Sequence, residues 1–230
     1  MFCSKCGTQN ANDVTECTNC SNIFPKSGTT FQTDKAKEQV KIAINDAWAT
    51  FRHLGLDPVG GLQSAYQGLG KARSFGVGVA FGLVFAIFFV IAFNQIPFLG
   101  MQFRVQSGIA GWIKLLIIGF VPYVALTVSC FIGEKVGKGS GGDIFSNGFV
   151  SGVALLPLGI FTLITSIIGV GNVEIVFTLG IVAICLTILI LFAGLIRIGN
   201  VSEKVASIAV PLMLVISLWI GKVIFVTLFS

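Results

Sequence analysis

Four cysteines open the chain as two C-x-x-C pairs, Cys3/Cys6 and Cys17/Cys20, within the stretch MFCSKCGTQNANDVTECTNC. A C-x-x-C turn aims two thiolates at one ion, and two such knuckles complete the tetrahedral shell that structural zinc takes. Cys3, Cys6, Cys17 and Cys20 are therefore expected to hold one structural Zn2+ in a small zinc ribbon over residues 1–21. Gly7, directly after the first pair, permits the tight backbone turn of a knuckle, and Ser21 stands where a second knuckle often has glycine. A module this short buries almost no core, so metal binding would supply most of its folding free energy. An iron site of rubredoxin type and a redox dithiol use similar pairs, and a cysteine-rich shell alone does not separate zinc from iron. Four cysteines leave no open position for water, which argues against a catalytic zinc; the nearest carboxylates, Asp13 and Glu16, read as solvated loop residues. Lys5 is the only basic residue within residues 1–21. Without a basic patch to meet a phosphate backbone, nucleic acid is not expected as a partner.

Little else in the chain could carry out a reaction. There is a single histidine, His53, and neither a Ser/His/Asp set, a pair of intramembrane carboxylates nor a phosphate loop can be assembled around it, so a non-catalytic protein is expected. No secretory signal is readable, because Cys3 and Cys6 occupy the place of its basic head and polar residues follow. A retained, cytosolic N-terminus favours thiolate chemistry over disulfides. Cys130 and Cys185, set in apolar runs, are expected to be small buried residues.

What must position the cysteine module is a membrane protein. Of 230 residues, 54% are hydrophobic and only 11% charged, and the mean hydropathy is +0.91; these values lie far from those of a soluble globule. Segment 22–33, with Pro25 and Gly28, reads as a flexible linker. From Asp34 to Leu54 the residues Val40, Ile44, Trp48, Phe51 and Leu54 recur at three- or four-residue steps, with Lys35, Lys37, Lys41, Asp46 and Arg52 between them. That pattern is an amphipathic helix too polar to span a bilayer. GLDPVGG breaks it; Asp57 and Pro58 are suited to open a second short helix carrying Leu62, Tyr66 and Leu69 on one face, closed by Lys71 and Arg73. Residues 34–73 thus form an interfacial unit ahead of a membrane domain at 74–230.

Five apolar stretches follow, near 75–93, 112–133, 149–170, 175–196 and 206–229. Each can cross a hydrocarbon core of about 30 Å, which takes roughly 20 helical residues. The second holds Lys114 and Pro122, but about a dozen large apolar residues contribute on the order of −5 kcal/mol, more than a lysine snorkelling from a helix end costs. GVGNVE makes the third and fourth a tight antiparallel hairpin. The fold class is mainly α: five spans preceded by a cysteine module with short β-hairpin knuckles and an amphipathic helix.

The positive-inside bias puts Lys71, Arg73, Lys135, Lys138, Arg197 and Lys204 in the cytoplasm, against Arg104, Lys114 and Lys222 on the far side. The N-terminus is then cytoplasmic and the C-terminus is not. No ionisable group is read at mid-span; Lys114 and Lys222 snorkel from outer ends and Glu174 lies in the outer hairpin. Pro122 and Pro157 should kink their helices. Gly78, Gly82 and Ala86, and separately Gly148 and Gly152, set small residues four apart as packing faces, within the bundle or between copies in a homo-oligomer.

The opening MFCSKCGTQN…CTNC resembles the short zinc ribbons at the N-termini of bacterial and archaeal membrane proteins. The amphipathic lead-in, GLDPVGGL at 55–62 and five close-set spans are similar to the Yip family of Rab-interacting membrane proteins and its prokaryotic relatives. Eukaryotic members carry an Asp-Leu-Tyr-Gly-Pro element before the first span. Asp57, Pro58, Val59, Gly60 and Gly61 stand in its place without matching it, so Rab binding is not carried over. The resemblance implies a prokaryotic cell-membrane protein acting in membrane organisation or trafficking. Together the readings suggest a bilayer-embedded adaptor that offers its ribbon to a cytoplasmic or membrane protein; the alternative is a small transporter or channel component with the ribbon as a regulatory cap.

Overall fold

The computed structural model describes residues 5–10, 14, 16–20, 29–95, 108–169 and 173–229. Cys3, Asp13, Ser21, Pro25, Gly28 and Arg104 lie outside them. The described residues contain seven helices: α1 Thr29–Leu56, α2 Gly61–Leu69, α3 Lys71–Gln95, α4 Gly108–Val136, α5 Ile144–Ile168, α6 Val173–Arg197 and α7 Glu203–Phe229. The last five are long and apolar enough to cross a membrane, so the chain is an integral membrane protein of mainly α class. It divides into two compact units, residues 1–42 and 43–230.

Three local expectations shift. α1 starts at Thr29, inside the segment read as linker, since 29–33 contain neither proline nor glycine to stop a helix. α2 starts at Gly61 rather than Pro58. Asp57 caps the preceding turn instead, accepting a hydrogen bond from the Gly60 N–H at 2.7 Å. Gly70, at φ +72°, ends α2, and Lys71 and Arg73 open α3 rather than closing α2.

α5 is the central helix. It packs on α3, α4 and α6, most extensively on α3, while α7 packs on α4 and more lightly on α6. Every residue from Ser146 to Leu155 is buried. The α3–α5 crossing is close because glycines meet there: a Cβ on Gly152 would stand 2.6 Å from Gly78 Cα, and one on Gly78 would stand 2.8 Å from Phe149 Cα. A side chain at Gly82 would strike the Tyr123 ring and one at Gly119 would strike Ala86. The small-residue faces are thus used inside the bundle, where close backbone approach gains dispersion contacts that larger residues would prevent. Pro122 and Pro157 lie within α4 and α5 as expected, and Pro211 lies within α7.

One end of the bundle collects the charges. Lys71 pairs with Asp143 at 3.0 Å, Arg73 donates from Nε to Asp46 at 2.7 Å and from its terminal nitrogen to the other carboxylate oxygen, and Arg197 donates to the Val59 carbonyl at 3.0 Å. Asp143 caps α5, accepting from the Ser146 N–H at 2.9 Å, with the Ser146 hydroxyl accepting in return from the Asp143 N–H. Burial alone would raise its carboxyl pKa. The Ser146 N–H and the Lys71 ammonium outweigh burial and hold it below the ordinary value. The cap is therefore fully charged above the usual carboxylate range and is lost only as pH falls through the depressed value.

Candidate functional site

The Sγ atoms of Cys6, Cys17 and Cys20 all lie within 4.8 Å of one another. Cys6 and Cys17 are 3.5 Å apart, far longer than a disulfide of about 2.05 Å and near the edge of a thiolate tetrahedron, about 3.8 Å for metal–sulfur bonds of about 2.3 Å. Three soft sulfurs at this spacing fit a thiophilic ion such as zinc or iron. Cys3, expected as the fourth ligand, is outside the described residues.

Local chain geometry builds the cluster. Gly7 has φ +73°, the left-handed turn that a residue without a Cβ takes at no steric cost. Residues 5–6 and 18–20 are turns, with single bridge positions at Gln9 and Glu16. Sequence reasoning passed over the side chain that joins the two knuckles. Asn10, nearly buried, donates from its amide to the Thr8 carbonyl at 2.9 Å and to Cys17 Sγ at 3.5 Å. Its oxygen accepts from the backbone N–H and the hydroxyl of Thr18 at 2.9 and 3.0 Å. Asn19 donates to the Thr8 hydroxyl at 3.1 Å. Amides and hydroxyls around a thiolate orient it and stabilise its charge, as outer-shell partners of metal ligands do. The only signal in the sequence was small polar residues after the first pair, Thr8 and Asn10, and within the second, Thr18 and Asn19.

Hydrogen bonding from the Thr8 side chain, then from its backbone, pulls the Cys6 thiol down to about 6, with Cys20 and Cys17 adding to the effect against some burial. Cys17 is lowered too, first by the Asn19 N–H and against burial. A lowered thiol is the state a metal ligand needs.

A second polar assembly lies in the bundle, where the sequence reading had found nothing. Glu134, in the last turn of α4, is completely buried. Its carboxylate accepts from the Gly142 N–H at 2.7 Å and from the Asn147 amide at 2.8 Å. The α4–α5 turn closes over it through glycine: a Cβ on Gly139 would stand 2.7 Å from Glu134 Cγ, and one on Gly142 would stand 2.7 Å from its Oε1. α4 finishes in a Schellman hydrogen bond, Gly139 N–H to Glu134 O at 2.9 Å, and beyond α6 the Val201 N–H reaches back to Leu195 O at 3.0 Å. Lys138 and Asn200 take the left-handed position at φ +55° and +52°. The two turns then meet backbone to backbone, Gly141 N–H to Gly199 O at 3.3 Å.

Tyr123, Thr127, Cys130 and Glu134 follow one another at helical spacing along α4 and are all buried. Cys130 faces Ser151, whose hydroxyl lies 3.7 Å from Cys130 Sγ, and Glu134 faces Asn147. The Tyr123 hydroxyl has no hydrogen-bond partner among the described residues. Cys130 is fully buried as expected, but Cys185 is exposed: Ala183, Thr187 and Ile190 turn inward on α6, and Cys185 falls on the opposite, outward face.

Glu134→Ala should lower the midpoint of thermal unfolding in detergent, because it removes the acceptor of the part-buried Gly142 N–H and of one Asn147 amide hydrogen, the amide keeping its bond to the Asp143 carbonyl; a buried donor without a partner costs about 1–3 kcal/mol. Glu134→Gln, which still offers one acceptor oxygen, should lose less. Equal midpoints for all three proteins would show that the turn does not depend on the carboxylate.

No protein family, curated protein or solved structure matches the chain.

Proposed function

We propose that the chain is a non-catalytic integral-membrane adaptor, a Yip-type five-span bundle in the cell membrane that carries a zinc-bound cysteine module on its cytoplasmic side for a protein partner. The observation behind this reading is the cluster of three sulfurs, Cys6, Cys17 and Cys20; with Cys3 as the fourth ligand under this proposal, no position is left for substrate or water. A site saturated by protein ligands supports a folded recognition surface rather than a reaction. The charged bundle end, with Lys71, Arg73, Lys135, Lys138, Arg197 and Lys204, faces the cytoplasm under this reading.

A single experiment reads both the head and the orientation. The full chain and a version lacking residues 1–21, each carrying a compartment-specific reporter after Ser230, are expressed and subjected to proximity labelling. Both should insert with the reporter on the non-cytoplasmic side, and only the full chain should label its partner. A cytoplasmic reporter would reverse the orientation. Full labelling by the truncated protein would make the module accessory and move the activity into the spans.

The buried line from Tyr123 to Glu134 favours a second reading, a small transporter or channel component, because polar groups inside a membrane bundle often mark a solute path. Solute flux in vesicles reconstituted with the pure protein, abolished by Glu134→Ala, would support it over the adaptor.

A further inference from the structure

A cavity of about 460 Å3 lies between the second half of α1 and the flank of the bundle, walled by Ala47 and Trp48, by Phe81 and Phe85 of α3, and by Leu156 and Gly159 of α5. All its wall residues are apolar, and its volume is within the range of about 300–1,000 Å3 usual for ligand sites. α1 is docked at one end of this segment and stands off at the other. Leu54 is 4% exposed and joins the core, whereas Ile44 and Trp48, which wall the cavity, are each 61% exposed. Asp46, between them in sequence, is clamped by Arg73 in the first turn of α3, so the helix is held over the recess without filling it.

The walls identify what fills it. Phe81 and Phe85 belong to one candidate membrane span and Leu156 and Gly159 to another, so the medium at the cavity mouth is hydrocarbon. A peptide backbone or a polar ligand entering an apolar recess there would leave its own donors and acceptors unpaired. An acyl chain loses nothing on entering and covers the exposed faces of Ile44 and Trp48. We propose that this cavity is a binding site for one bilayer phospholipid, an acyl chain lying between α1 and the α3–α5 ridge with its head group toward the charged end at Arg73 and Asp46. The lipid is then the packing partner that α1 lacks within the bundle, and it is held apart from the lipid that wets the outward face of α7.

The test uses the full-length protein in detergent with phosphatidylcholine bearing a diazirine midway along one acyl chain. One sample is photolysed directly and another only after repeated detergent exchange, and peptides carrying adducts are mapped in each. Adducts on residues 44–51 and 155–163 should form as fully in the exchanged sample, while those around Leu212 and Leu218, exposed on α7, should fall roughly tenfold or more there. Gly159→Leu fills the cavity from a position where a Cβ meets Phe85 and Phe88 at an ordinary 3.6 Å. It should cut the α1 and α5 adducts by roughly tenfold without moving the unfolding midpoint. Ala80→Leu fills the same space from α3 and serves if the first variant misfolds. The proposal is overturned if exchange before photolysis abolishes labelling of α1 and α7 alike, if no adduct forms on α1, or if both filled variants label like the parent.

Discussion

Cys17→Ser should empty the cysteine module of metal and unfold residues 5–20, while the five spans stay inserted and keep their unfolding midpoint. The expected effect is the largest in the molecule, because structural zinc in small cysteine modules contributes apparent free energies of about 10–16 kcal/mol at neutral pH. Among the described residues of that segment, the hydrogen bonds of Asn10 and Asn19, each worth about 0.5–1.5 kcal/mol net, are too few to compensate. Cys17 is the most buried of the clustered sulfurs, at 2% exposure, and it is the one that Asn10 reaches from the other knuckle. Serine offers a harder, far less acidic oxygen in the same place, a poor ligand for a thiophilic ion. Metal analysis of purified protein should find one zinc per chain in the parent and none in the variant, and limited proteolysis should cut the variant within the first twenty residues. Cys3→Ser should behave the same way if Cys3 is the fourth ligand. Finding iron in the parent, or a disulfide between these cysteines in cytosolic extract, would overturn the zinc assignment.

The second large effect lies at the α3–α5 crossing. Gly152→Leu places a branched side chain where even a Cβ would come within 2.6 Å of Gly78 Cα, and the obstacle is backbone, which cannot swing aside as a side chain can. The two helices must separate, losing the most extensive packing in the bundle. Overpacking a well-filled interior costs about 1–3 kcal/mol when side chains can adjust, and more when they cannot. The variant should therefore unfold at markedly lower temperature in detergent or fail to accumulate in the membrane. Gly221→Leu on α7, where a Cβ would meet nothing within 4 Å, should leave the midpoint almost unchanged. If the two variants were equally stable, the crossing would be looser than its glycines imply.

The two sites differ in how legible they were. The clustering of Cys6, Cys17 and Cys20 could be read directly, because cysteines in short pairs are brought close by local chain geometry: Gly7 supplies the turn, and two knuckles need little more than a few bonds to meet. The spans were equally plain, since a bilayer demands a long run of apolar residues wherever a helix crosses. Their observed ends differ from expectation by only a few residues, as at Ile144–Ile168 and Val173–Arg197.

What the sequence did not reveal is which side of each span faces inward. In water an outward face must be polar and the inward face betrays itself by contrast. In lipid both faces are apolar and that contrast vanishes. Cys130 and Cys185 therefore look alike in the sequence, yet one is buried against Ser151 and the other is exposed. In the sequence Glu134 stands beside Lys135 at the end of an apolar run, and no local pattern sets it apart. Its complete burial follows from a glycine turn folding back over it and from Asn147 arriving on a neighbouring helix, which are contacts between segments that no local pattern announces. Gly78 and Gly152 were legible as places where helices could approach. Only the tertiary structure decided that they approach each other, because pairing is chosen by the fit of whole helix surfaces rather than by the spacing on either one.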